Sequence, residues 1–385
     1  MSKIKFTEAI SFVGTTPAPF EDEKKYISTG AVDKFSIDEK EIEMITYGKR
    51  PSRANLAVRT GDIIFAKMAE TLKTLYIDDE LSKNIYSTGF CAVRANESVL
   101  TPQCLYYLVS SPAFLLQKDK HASGATQRAI TNNGMTNIIV NIPPLKDQKD
   151  CVRKLDAISL LIAYRKKQLV QFDKLVKSQF IEMFGNIGED TKGWGLVALD
   201  ECCELNPKKS REVRLKAGIE VSFIPMPAVS EDGVIDCSVV KQYEQVQTGF
   251  TYFAENDVLF AKITPCMENG KGAIARGLKN GLGLGSTEFH VLRPLNGVCN
   301  PAWLYALTTF TKFRHDAAKK MTGSAGQRRV PASFLATYKV SVPPIELQNK
   351  FASFVEQTDK SKFRIKQSLE KLEICYKALL QKYFG

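Results

Sequence analysis

The 385-residue sequence is poor in histidine: His121, His290 and His315 are the only three, and no two stand at the spacing of a metal-binding helix. Histidine-centred metal or acid–base chemistry is therefore not expected. The nine cysteines (Cys91, Cys104, Cys151, Cys202, Cys203, Cys237, Cys266, Cys299 and Cys375) include no C-x-x-C pair, and their odd number excludes a complete disulfide framework. They read as reduced, mostly packing thiols. Adjacent Cys202 and Cys203 would point to opposite faces of a strand, with no second Cys or His pair beside them, so no zinc site is expected. Long apolar runs are missing too: the longest, around 158–163, falls far short of the roughly 20 residues a bilayer span requires. The start, Met-Ser-Lys-Ile-Lys-Phe, is basic but has no apolar core and no small-residue cleavage site, and a cytoplasmic address is the expectation. Phosphate-loop chemistry is absent as well, since Glu268-Asn269-Gly270-Lys271-Gly272 lacks the upstream Gly and the following Ser/Thr of a P-loop. The acidic run Glu21-Asp22-Glu23 reads as a solvated loop rather than a nuclease fragment.

Negative charge is also in deficit. Lys and Arg number 53 against 42 Asp and Glu, a formal net charge of +11, which favours a polyanionic partner through counterion release. With 44% hydrophobic residues the chain is globular and long enough for two or three packed units.

What the sequence does contain is an internal repeat, its anchors recurring in the same order about 195 to 200 residues later. Gly61-Asp62-Ile63-Ile64-Phe65-Ala66-Lys67 returns as Asn256-Asp257-Val258-Leu259-Phe260-Ala261-Lys262. Ser87-Thr88-Gly89-Phe90 returns as Ser286-Thr287-Glu288-Phe289, and Leu105-Tyr106 as Leu304-Tyr305. Gly124-Ala125-Thr126-Gln127-Arg128 returns as Ser324-Ala325-Gly326-Gln327-Arg328. Ile142-Pro143-Pro144-Leu145 with Gln148 returns as Val342-Pro343-Pro344-Ile345 with Gln348, and Phe184-Gly185 as Phe384-Gly385. Between anchors the halves diverge, most of all in 26–58 against 223–253. One scaffold thus carries two different surfaces.

Each half reads as a mixed α/β domain followed by a long helix. The Gly-Asp or Asn-Asp turn leads into a short buried strand (63–66, 258–261), and helical stretches follow around 105–108 and 303–307. Pro143-Pro144 and Pro343-Pro344 set the helix entrances, Asp147 and Glu346 suit the positive end of the dipole, and Gly185 and Gly385 stand where a C-cap belongs. The first helix carries Leu155, Ile162, Leu169, Val176 and Met183 at heptad spacing; the second carries Val355, Leu369, Tyr376 and Tyr383, joined by Ile365, Leu372 and Leu379, with Lys362 replacing an apolar residue at one step. This pattern predicts an intramolecular antiparallel coiled coil and a pseudo-two-fold architecture. The expected divisions are a domain over 1–143, a helix over 144–185, a second domain over 186–343 and a second helix over 344–385.

In its whole length, a variable region and a Pro-Pro-x-x-x-Gln helix followed by a second of each, the chain resembles the specificity subunits of type I restriction-modification systems. Asp147 fits the family's acidic residue before the glutamine; Leu347 departs from it, with Glu346 one place earlier. The resemblance implies that each variable region recognises one half of a split double-stranded DNA target, with the helices as spacer. It implies two modification (methyltransferase) subunits, with restriction (translocase and nuclease) subunits added. It also implies that S-adenosylmethionine, ATP and magnesium belong to those partners, with no cofactor and no catalytic residue in this chain. Asn141-Ile142-Pro143-Pro144-Leu145 is not a methyltransferase motif, because Ile142 interrupts it and no aromatic follows. A scaffold or decoy that binds modification subunits without reading DNA needs only the helices.

DNA contact calls for Lys and Arg at phosphates and for side chains able to pair with base edges. The candidates are Lys49, Arg50, Arg53 and Asn55 in a basic turn-rich loop; Lys67 and Lys73 after the first repeated strand; and Lys208, Lys209, Arg211 and Arg214 early in the second half. Lys262, Asn269 and Lys271 follow the second repeated strand. Arg128 and Arg328 occur in both repeats, so phosphate contact or loop structure suits them better than base reading. Helices of about 38 residues would be about 57 Å long, bounding the half-site separation at roughly 17 base pairs.

Overall fold

The computed structural model describes residues 2–125, 127–210, 218–324 and 326–385. The chain divides into a first unit, Met1–Lys167 with Lys366–Gly385, and a second unit, Gln168–Ile365. Each therefore contains part of both long helices.

In the first unit, four antiparallel strands lie in the order Ile10–Val13, Phe90–Ala95, Ile63–Ala66, Thr74–Tyr76. The four residues of Ile63–Ala66 are all buried, as an uninterrupted apolar run between two packed faces requires. A second sheet runs Glu43–Ile45, Lys24–Ile27, Ile85–Ser87, Ala54–Leu56, its central pair parallel. The second unit repeats both orders: Cys203–Leu205, Phe289–Pro294, Val258–Ala261, Gly272–Ile274, and then Val240–Gln242, Glu220–Ile224, Leu282–Gly285, Thr251–Ala254. The regions that diverge most in sequence thus keep one strand order. The turn before the repeated strand explains its alternating residue: Gly61 has φ +87° and Asn256 +70°, left-handed backbone that glycine and asparagine tolerate best.

The helices Pro102–Val109 and Pro301–Thr309 each begin on a proline and pack their apolar side on the first sheet. The first long helix is Leu145–Phe184 and the second Ile345–Phe384. Their matching starts show that Leu347 in place of an acidic residue does not move the helix entry. Gly185, at φ +83°, closes the first helix with its N–H donating to the Ile181 carbonyl at 2.8 Å.

Both helices bury their ends in the α/β cores. In the first unit Cys151, Leu155, Leu380 and Phe384 join the cluster built on Phe6, Phe65 and Phe114; in the second, Phe180, Phe184 and Phe351 join that of Phe260, Trp303 and Phe313. Pairing is antiparallel in each unit. Lys166 meets Glu373 at 3.4 Å in the first. Asp173 meets Lys362 at 2.7 Å, and the Phe180 and Phe351 rings lie 5.5 Å apart, in the second. Ile162, Leu169, Val176, Met183, Val355, Ile365, Leu369, Leu372, Tyr376, Leu379 and Tyr383 are half-buried along the stripe, whereas Leu155 is fully buried and Leu175 is exposed. Among the described residues no helix is long and apolar enough to cross a membrane.

The repeated glutamine explains how helix and domain are joined. Gln148 is fully buried; its Oε1 accepts from Thr101 N at 2.8 Å, and its Nε2 donates to the carbonyls of Val99 (2.8 Å) and Pro143 (3.0 Å). Gln348 accepts from Asn300 N at 2.8 Å and donates to Val298 (2.9 Å) and Pro343 (2.8 Å). A carbonyl acceptor and a two-hydrogen donor in one side chain are what these three backbone groups need.

Candidate nucleic-acid interface

In the second unit the residue after the repeated strand, Lys262, opens onto a cavity of about 400 Å³ lined by Lys208, Lys209, Phe250, Tyr252 and His290. Ammonium groups and aromatic faces share one concave surface, the chemistry that takes phosphates and stacked bases. Lys208 is exposed; Lys209 donates to the Gln247 carbonyl and lies over the Tyr243 ring at 5.5 Å. His290 forms the wall. Its Nε2 donates to the Val330 carbonyl at 2.8 Å and its Nδ1 faces the Asn206 amide nitrogen at 3.1 Å. Burial holds its pKa below the ordinary value, and nearby Lys262 adds to the effect, so the ring is a neutral structural group. Arg211 and Arg214 lie outside the described residues.

Asn269 faces elsewhere. It lines a separate cleft of about 760 Å³ in which carboxylates such as Glu231, Asp232 and Glu268 are mixed with the cations Lys177, Arg276 and Arg314. Lys271 Nζ points inward at 3.5 Å from the Met226 carbonyl. The strand exit thus splits the predicted group, with Lys262 on the basic cavity and Asn269 away from it.

The first unit brings Arg50 and Asn55 together: the Arg50 guanidinium covers the Tyr47 ring at 3.9 Å, donates to the Tyr47 carbonyl at 2.7 Å and reaches Asn55 Oδ1 at 3.5 Å. Arg50 therefore shapes the loop, leaving exposed Lys49 and Arg53 as its outward cations. Lys67 donates to the Thr88 carbonyl at 3.1 Å and Lys73 to the Thr29 carbonyl at 2.6 Å, tying the strand exit to its neighbours.

The Gln-Arg segments have a structural role. Ala69 N donates to the Arg128 carbonyl at 2.9 Å and Thr264 N to the Arg328 carbonyl at 3.0 Å, so each segment latches the loop leaving the repeated strand. Their side chains are partnered, Arg128 with the Asp119 carbonyl at 2.6 Å and Arg328 with Glu268 at 3.4 Å. Arg329, unmarked in the sequence, pairs with Glu288 at 2.8 Å and holds its carboxyl below the usual range.

Buried Cys299, remote in sequence, joins Cys202 and Cys203 in the second core. Both Sγ atoms lie 3.2 Å from the Leu199 carbonyl, so the two do not face apart. Cys202 precedes the strand that Cys203 begins, and the alternation rule does not apply.

The sequence signature of the type I restriction modification DNA specificity domain matches residues 15–171 and again 191–374. The chain belongs to this family. It is similar to two specificity subunits of type I restriction enzymes from Escherichia coli, EcoAI (38% identical over 197 residues) and EcoEI (39% over 191). These matches cover 49% and 48% of this specificity-family chain but only 32% and 31% of the relatives. Less than a third of each relative's length is thus represented. Two solved structures share the fold. A chain described under complex assembly and conformational transition of the type I R-M system has a TM-score of 0.59 at 21% identity, covering 99% of this chain and 97% of that one. The S subunit of a type I restriction-modification system from M. genitalium has a TM-score of 0.53 at 14% identity, covering 100% and 96%.

Proposed function

We propose that this chain is the non-catalytic reading subunit of a type I restriction-modification complex, each unit recognising one half-site of a bipartite double-stranded DNA target. One observation carries the reading: two copies of a single strand order and loop latch present different side chains around the same strand exit. A shared scaffold with unlike surfaces suits two half-sites of unlike sequence. Phosphate contacts are assigned to Lys49, Arg53, Lys67 and Lys73 in the first unit and to Lys208, Lys209 and Lys262 in the second. Base reading is assigned to the loops around them.

The same reading gives the chain two modification subunits and added restriction subunits as partners. Methylation, ATP use and cleavage, with S-adenosylmethionine, ATP and magnesium, belong to them. Exposed Leu160, Leu161 and Tyr164 on the first long helix are apolar surface of the kind a partner chain covers. The division into 1–143, 144–185, 186–343 and 344–385 is proposed as the functional one, with the helices as spacer and the cytoplasm as the site of action. Methylome sequencing of cells with and without this gene tests the proposal. A bipartite motif that appears only with the gene supports it. Co-purification with modification subunits but no motif identifies a scaffold instead.

A further inference from the structure

Each unit buries a cation behind the loop that leaves its repeated strand. Lys118, in the helix Pro112–Lys120, is 1% exposed, and its Nζ donates to the carbonyls of Met68 (2.7 Å) and Thr71 (2.9 Å), with Ala66 at 3.4 Å. Arg314, in the helix Thr311–Lys320, is 9% exposed; it donates to the carbonyls of Met267 and Gly270, the latter at 2.9 Å, and covers the Phe260 ring at 5.5 Å. The two are not aligned by the repeat. Phe114 and Phe313 fill the same place in their cores, and Lys118 stands four residues after the one, Arg314 directly after the other. Positions differing by three residues share a helix face, so different turns deliver a cation to the inner side of the corresponding loop, Lys118 near its start and Arg314 nearer its end.

Loop carbonyls turned inward have no ladder partner, and a charged donor satisfies several at once with bonds roughly twice as strong as neutral ones. A buried cation is a costly way to do this when only stability is needed. Asp119 approaches Lys118 at 3.5 Å, while Arg314 has no carboxylate in ion-pair contact among the described residues. What each cation does secure is a single loop path, from both sides together with the Gln-Arg latch. The loops it fixes carry Lys67 and Lys73, or Lys262.

We propose that Lys118 and Arg314 are the positioning residues of the two DNA-reading loops, each setting the fidelity of one half-site without touching DNA. This rests on the reading of the chain as a DNA-recognition subunit. The test places Lys118→Met or Arg314→Met in the full chain, co-expressed with its modification subunits, and reads the methylome. Each variant is expected to relax one half-site at least tenfold and leave the other intact, the two variants affecting opposite halves. Lys118→Arg and Arg314→Lys restore fidelity, since either cation serves in one of the units. Amide exchange of the purified chain gives a readout independent of DNA: residues 67–73 should exchange at least tenfold faster in Lys118→Met, with the long helices unchanged. Wild-type exchange in that loop overturns the proposal, as does equal loss at both half-sites without rescue by the conservative variants. If the unsubstituted chain yields no bipartite motif, the DNA reading fails, and the exchange measurement still decides whether the cation positions the loop.

Discussion

His290 is 5% exposed with both ring nitrogens engaged, and burial disfavours its protonated form. Below its ordinary value near 6.5 the unfolded chain takes up a proton that the folded chain resists, so stability is greatest above that value and declines as the pH falls toward the lowered one. Urea midpoints for His290→Gln should fall less than those of the unsubstituted chain between about pH 7.5 and about pH 5.5. The difference should not exceed about 1.4 kcal/mol per pH unit. Equal slopes would show that the ring titrates as if exposed. His290 was legible only as a histidine outside any metal motif, because its burial comes from strands far apart in sequence. Lys118 and Arg314 were not legible at all: short helices rich in Lys and Arg look like solvated surface, and only the fold turns one cation of each inward. Arg50 was legible as a basic loop residue, but its commitment to Tyr47 was not.

Elements were easier to read than their contacts. The repeated strands, the helix entrances at the double prolines and the heptad stripe follow from local periodicity and proline chemistry, and the structure places them as that logic requires. The strand order shared by the diverged regions left no comparable trace, since pairing of short strands is decided by non-local register. Lys362 breaks the apolar stripe yet is only 16% exposed, its charge answered by Asp173 across the helix pair. The glutamine of the Pro-Pro-x-x-x-Gln entrance was visible as a motif without a reason. Three buried bonds supply one. Replacing Gln148 with Ala leaves an N–H and two carbonyls without partners, and should destabilise the first unit by about 2–3 kcal/mol. Chemical denaturation followed by a probe in each unit checks this, the expected loss being confined to the first. A shift below about 0.5 kcal/mol would mean that water replaces the side chain.

At the scale of the molecule, the family and its two-copy plan were readable from the ordered anchors, and the net charge of +11 agrees with the partner proposed above. Under the spacer proposal, inserting seven residues into both long helices keeps their heptad phase and adds about 10 Å of helix. Methylome sequencing of that variant should show the unread gap longer by roughly three base pairs and both half-sites unchanged. An unaltered gap would remove the ruler from the proposal. The make-up of the first unit bears on where the chain can be divided. Lys366–Gly385 belongs to that unit, where Leu380 and Phe384 fill its core and the Asn141 amide donates to the Gly385 carbonyl. Residues 366–385 follow the whole of the second unit in sequence, so no single cut yields both units intact: dividing the chain between Lys167 and Gln168 would leave the first unit with an open apolar seam where Leu380 and Phe384 belong.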